Sequence, residues 1–145
     1  MPYVYDAVLH LEMSSKVEDG DCVDLIKHYV VALKNRGTFS WRPGEKVMTS
    51  QNLKPGTVIA TFLCGQYPQG RKSANKHAAF FLSYVGPRYD DGTYREIMVM
   101  DQWKGVTKLR VSARPIRSKG TAGSDCKYGP DAGVSNNLDT FYVVE

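Results

Sequence analysis

Long apolar runs are missing from this chain of 145 residues. No stretch approaches the roughly 20 consecutive apolar residues that a membrane helix needs, so no membrane partner is expected. The N-terminus, Met1-Pro2-Tyr3-Val4-Tyr5-Asp6, has neither the basic start nor the continuous apolar core of a secretory signal. Work outside the cytoplasm would therefore need a route other than a standard cleaved signal. Cysteine is scarce, with only Cys22, Cys64 and Cys126. No Cys-x-x-Cys or His-x-x-x-His pair seeds a zinc site. There is no Walker loop, no Gly-x-Gly-x-x-Gly fingerprint and no Gly-x-Ser-x-Gly elbow. No metal and no cofactor is expected. Charge is only mildly unbalanced, at 19 Lys+Arg against 15 Asp+Glu. The excess is diffuse, and Arg110, Arg114, Arg117 and Lys119 read as a solvated strand-and-loop face. That pattern lacks the tight basic stripe with interleaved aromatics of nucleic-acid binders, so no nucleic-acid partner is expected.

What is present is the composition of a folded globule, 42% hydrophobic and 11% aromatic. The length suits a single domain spanning 1–145. An odd number of cysteines fits one free thiol plus one disulfide, Cys64 with Cys126, in an oxidising compartment. Three reduced thiols are the alternative.

Spacing identifies one helix, from about Asp21 to Asn35. Val23, Ile26, Tyr29, Val30 and Leu33 recur on a single face. Asp19 or Asp21 is placed to cap its start and Gly37 to end it. Cys22 falls at the N-terminal end of that face. Helix N-termini concentrate partial positive charge and unpaired N–H donors, which favours a thiolate. The plainer alternative is a core cysteine, a common fate for this residue.

Strands follow the helix. Lys54-Pro55-Gly56 signals a turn before a strand over Thr57–Phe62. Gly65–Lys76 reads as a loop. His77 opens a strand running to Val85, and Tyr94–Trp103 returns antiparallel to it. Val106–Val111 reads as a further strand, Ser118–Asn137 as a long surface loop, and Leu138–Val144 as the closing strand. One helix followed by a meander of strands is an α+β pattern.

The hairpin supplies a third candidate residue. With a turn centred near residues 89–90, His77 lies opposite Asp101 or Gln102, within side-chain reach. Asp101 is the expected orienter of the imidazole, and Gln102 replaces it under a one-residue register shift. His28 lies about 240° around the helix from Cys22 and so faces elsewhere. His10 sits in no recognisable frame. Both read as structural or surface residues.

The order of cysteine at a helix start, histidine at a strand start and a polar residue on the next strand resembles the papain-like amidases of the NlpC type. Four blocks are similar to the small type VI secretion amidase effectors: Asp21-Cys22-Val23-Asp24-Leu25-Ile26-Lys27, Gly56-Thr57-Val58-Ile59-Ala60-Thr61-Phe62, His77-Ala78-Ala79-Phe80 and Val99-Met100-Asp101-Gln102-Trp103. The resemblance runs from about residue 17 to the C-terminus. It implies a papain-like fold with an N-terminal catalytic helix packed on an antiparallel β-sheet. It implies cleavage of peptidoglycan peptides by Cys22, His77 and Asp101, export by type VI secretion into a target cell's periplasm, and a cognate immunity protein. Gln66, Tyr67, Gln102 and Trp103 are expected to line the substrate groove. The rival readings are a non-catalytic wall-binding or partner-binding module, and an acyltransferase built on the same triad.

Overall fold

The structure, a computed structural model, describes residues 1–70, 75–120 and 133–145. Its helix begins where a capping box dictates. The Asp21 carboxylate accepts from the Val23 N–H, while Asp24 reaches back to the Asp21 N–H at 3.3 Å. From that cap α1 runs only over Cys22–Tyr29, not to Asn35. Val30 is already extended, and a 3-10 turn over Val31–Leu33 continues the same apolar face. Adjacent β-branched residues at Val30 and Val31 lose side-chain freedom in a helix, which makes this the cheap place to leave it. Gly37 therefore ends nothing.

The strands are β1 (Pro43–Lys46), β2 (Val58–Thr61), β3 (Ala78–Val85), β4 (Glu96–Asp101), β5 (Ser112–Arg117) and β6 (Phe141–Val144). They form one antiparallel sheet in the order β1-β6-β2-β3-β4-β5. The middle of this order is the expected meander. The closing strand departs from it, inserting between β1 and β2. Val106–Val111 is not a strand: Val106 is 86% exposed and Leu109 78% exposed, and Gly105 turns the chain with φ 106°. The strand lies one segment later, at the sheet edge, where Pro115 is tolerated. The expected loop over Ser118–Asn137 lies partly outside the described residues. Its end is not a surface loop, since Val134 and Asn137 are buried and Val134–Asn136 form a 3-10 turn.

Period-two alternation divides the core between the sheet's faces. Val58, Ala60, Phe80 and Met100 meet Leu25, Ile26 and Leu33 on the helix side. Ile59, Ala79, Phe81, Ile97 and Val99 meet Val47, Leu138 and Phe141 on the other. Each buried Leu, Ile or Phe contributes roughly 1.5–3 kcal/mol of apolar transfer. Coverage on both faces explains why β2 and the start of β3 are buried at every position.

Gly56 ends the Lys54–Gly56 turn with φ +90°, and a Cβ there would lie 2.0 Å from the Tyr5 carbonyl oxygen. Gly65 has φ +73° but open space around it. Gly56→Ala is therefore expected to lower the denaturation midpoint clearly more than Gly65→Ala, by a difference above ~1 kcal/mol in urea unfolding.

Candidate active site

The capping box sets Cys22 as the first residue of α1. Its N–H has no hydrogen-bond partner among the described residues, as the geometry of a helix start requires. The side chain is buried and free of any disulfide. Its thiol donates to Asp21 Oδ1 at 3.3 Å and lies 4.0 Å from the Tyr67 hydroxyl. Cys64 is disulfide-bonded. The expected partner, Cys126, lies outside the described residues.

Across a cleft of about 480 Å³, which Cys22 and His77 both line, stands the imidazole. His77 immediately precedes β3, and its backbone N–H is anchored by Thr61 Oγ1 at 3.0 Å. His77 Nε2 meets Asp101 Oδ2 at 2.8 Å. With that nitrogen occupied, Nδ1 is the one left for the thiol, which acts on the titration of His77. Sequence reasoning placed His77 directly across from Asp101 or Gln102, and the register differs. Phe80 pairs with Met100 and Phe81 with Val99, so the same register sets Ala79 opposite Asp101. His77 reaches Asp101 diagonally, on the same sheet face, because the pairing of Ser83 with Met98 centres the turn later than residues 89–90; the bulge between Phe81 and Ser83 then restores the parity that sets both side chains on one face.

Asp101 is fully buried among three cations. Besides His77, Arg114 Nε lies 2.7 Å from Oδ2 and Lys108 Nζ 3.0 Å from Oδ1. Oδ1 has this ionic contact but no hydrogen bond of good geometry. Burial pushes the Asp101 pKa up. The His77 hydrogen bond and the three positive charges outweigh it and hold the carboxyl down at about 2. Burial likewise depresses His77. Its hydrogen bond to Asp101 and its interaction with Cys22 overcome this and raise it to about 9. Trp103 lines the same cleft, its ring edge-on to His77 and covered by Lys108 and Arg114 at 4.9 and 5.1 Å.

Tyr67 is buried, wedged against Trp41 and Phe62, and burial beside Cys22 pushes its phenol strongly up, so it stays a neutral donor. Of the four residues expected in the groove only Trp103 is among the described lining residues; Tyr67 lies buried behind Cys22, and Gln66 and Gln102 are elsewhere. Gln66 is exposed in a tight turn paired with Leu63 and does not line the cleft. Gln102 is buried one residue beyond Asp101, hence on the opposite face. There it accepts from the Val17 N–H at 3.0 Å and donates to the Asp21 carbonyl at 2.7 Å. His28 pairs with Glu18 at 2.9 Å on the surface, away from the thiol. Lys108 and Asn136 were not foreseen, and Arg114 was read only as part of a solvated face. The available signal was β5 parity, which sets Arg114 diagonal to Asp101 once Ser112 pairs with it.

The signs of these shifts fix a pH window. A raised His77 contributes stability that is complete below its unfolded pKa of 6.5 and is lost as pH rises through about 9. A depressed Asp101 contributes stability that is complete above its unfolded value of 3.8 and is lost as pH falls toward 2. The stability gap between wild type and His77→Gln, measured by urea unfolding, is expected to hold between about pH 4 and 6.5 and to shrink progressively toward pH 9.

Comparison with known proteins places the whole chain in a family. The family model described as "Domesticated amidase effector 2" matches residues 8–144. A "Type VI secretion amidase effector 2 protein" of Salmonella typhi is 40% identical, with all of both chains covered. The solved structure "Type 6 secretion amidase effector 2 (Tae2)" superposes with a TM-score of 0.81 at 38% identity, covering 99% of this chain and 94% of that one. The α+β architecture, with its helix on an antiparallel sheet, is the papain-like, NlpC-type fold. The chain belongs to the amidase effector 2 family.

Proposed function

We propose that this protein is a cysteine amidase that hydrolyses amide bonds in peptidoglycan stem peptides or cross-links. It acts as an antibacterial effector delivered by type VI secretion into the periplasm of a target cell. A cognate immunity protein blocks it in the producing cell. The observation that carries the reading is that Cys22 and His77 line one cleft, with Asp101 bonded to His77 behind it, in a chain of the amidase effector family.

In the mechanism, the neutral form of His77, which becomes abundant as pH rises toward 9, takes the Cys22 proton at Nδ1, and Sγ attacks the amide carbonyl, forming a tetrahedral oxyanion. The unpartnered Cys22 N–H and the Tyr67 hydroxyl donate to that oxygen. The imidazolium, stabilised by Asp101, then protonates the departing amine, and the acyl group stays on Sγ as a thioester. Water, deprotonated by the freed imidazole, cleaves the thioester and restores the thiol. Trp103 packs against the peptide at the cleft wall. The resting hydrogen bond from Cys22 Sγ to Asp21 is given up when the proton moves to His77.

The test is digestion of purified Gram-negative sacculi, followed by mass spectrometry of the released muropeptides. Wild type is expected to release new products and Cys22→Ala none, with unchanged circular dichroism. Activity retained in Cys22→Ala would sink the mechanism. Conversion of cross-linked dimers to monomers would mark a cross-link endopeptidase. Loss of stem residues with cross-links intact would set the cut within the stem. Tyr67→Phe keeps the packing against Trp41 and loses only the hydroxyl, so kcat is expected to fall about 10²-fold, the cost of one oxyanion donor.

A further inference from the structure

Among the described residues, positive charge faces the cleft without an internal partner that neutralises it. Lys76, Lys104 and Arg114 all line it, and Asp21 is the one acid among the described lining residues. The Asp21 carboxylate is committed to the Val23 N–H and the Cys22 thiol. Asp101, beneath the floor, is matched by His77, Lys108 and Arg114. Arg114 is fixed on every side but one. Its Nε goes to Asp101, its Nη1 to Asn136 Oδ1 at 2.6 Å, and its plane lies over Trp103. Its Nη2 has no partner among the described residues. Lys76 donates to the Gly70 carbonyl, which leaves two of its ammonium protons for other acceptors. Lys104 is exposed at the cleft edge.

From this arrangement we infer that the cleft selects peptides bearing a free carboxylate beside the scissile amide. Arg114 receives the anion near the reacting atoms, and Lys76 and Lys104 draw it in from either wall. A preorganised guanidinium with an open donor suits a planar carboxylate, whereas a lysine acts as a point charge. The inference rests on the amidase reading and names the chemistry that the same site prefers.

The experiment uses cross-linked muropeptides released from sacculi by a muramidase, which hold both the stem and the cross-link amides, either untreated or with their carboxylates converted to carboxamides. Both are given to wild type and to the double variant Lys76→Gln/Lys104→Gln. Wild type is expected to favour the untreated peptides about tenfold in kcat/KM, chiefly through KM, with the preference weakening as salt is raised. In the double variant the preference falls to within about threefold. Equal hydrolysis of both preparations by wild type overturns the inference and leaves the amidase standing. An undiminished preference in the double variant removes the two lysines from it. Hydrolysis of neither preparation by wild type defeats the amidase reading, and the inference with it.

Discussion

Asp101 carries a negative charge that the fold has taken out of water, and a charge so placed is tolerated only where other charges and hydrogen bonds replace its solvent. Here the replacements come from three separate stretches: His77 ahead of β3, Lys108 in the connection after β4, and Arg114 in β5. The carboxylate is therefore a node that ties three neighbouring parts of the chain to one point. Its chemical consequence is local and specific. By occupying His77 Nε2 it sets which imidazole nitrogen is left for the thiol, and it supports the imidazolium that the reaction must form.

The second half of the site is held by the residue next door. Strand periodicity turns Gln102 to the face opposite Asp101, where it donates to the carbonyl of Asp21, the cap of α1. Two consecutive side chains at the end of β4 thus control the two partners of the reaction, one through the imidazole and one through the helix that presents the thiol. Lys16 adds a third tie in the same region, donating to the carbonyls of Trp103 and Gly105. The nucleophile and its base are fastened to one short piece of sheet. This gives the alignment a rigid reference even though α1 itself is only eight residues long.

Much of the site was legible because its signals are local. Asp21 with Asp24 is a capping pair that needs no tertiary partner, and it fixes Cys22 at a helix start. His77 opens a run of apolar residues that can only be a buried strand, and Asp101 closes the next one. The four blocks around these residues carried the family resemblance. What failed to be legible depended on distant partners. The helix was drawn too long because an apolar face at helical spacing continues through Val30 and Leu33, whereas the backbone has already changed to a 3-10 turn. A strand was assigned to Val106–Val111 from its β-branched residues. In the fold, Val106 and Leu109 of that segment face solvent while Val111 is buried outside any strand, and the edge strand is Ser112–Arg117, with a proline inside it.

By itself the sequence singled out the candidates, Cys22 at a helix start, His77 at a strand start and Asp101 or Gln102 on the next strand, from capping, alternation and order along the chain. Tertiary structure alone decided how those groups meet. A turn between β3 and β4 centred beyond residues 89–90 makes His77 and Asp101 a diagonal pair, and a bulge of one residue in β3 keeps the two on the same sheet face. The insertion of β6 between β1 and β2, the convergence of Lys108 and Arg114 on Asp101, and the approach of Tyr67 to Cys22 depend likewise on pairings between remote segments. Local propensity acts over a few residues, whereas register and charge convergence are set by the packing of the whole sheet.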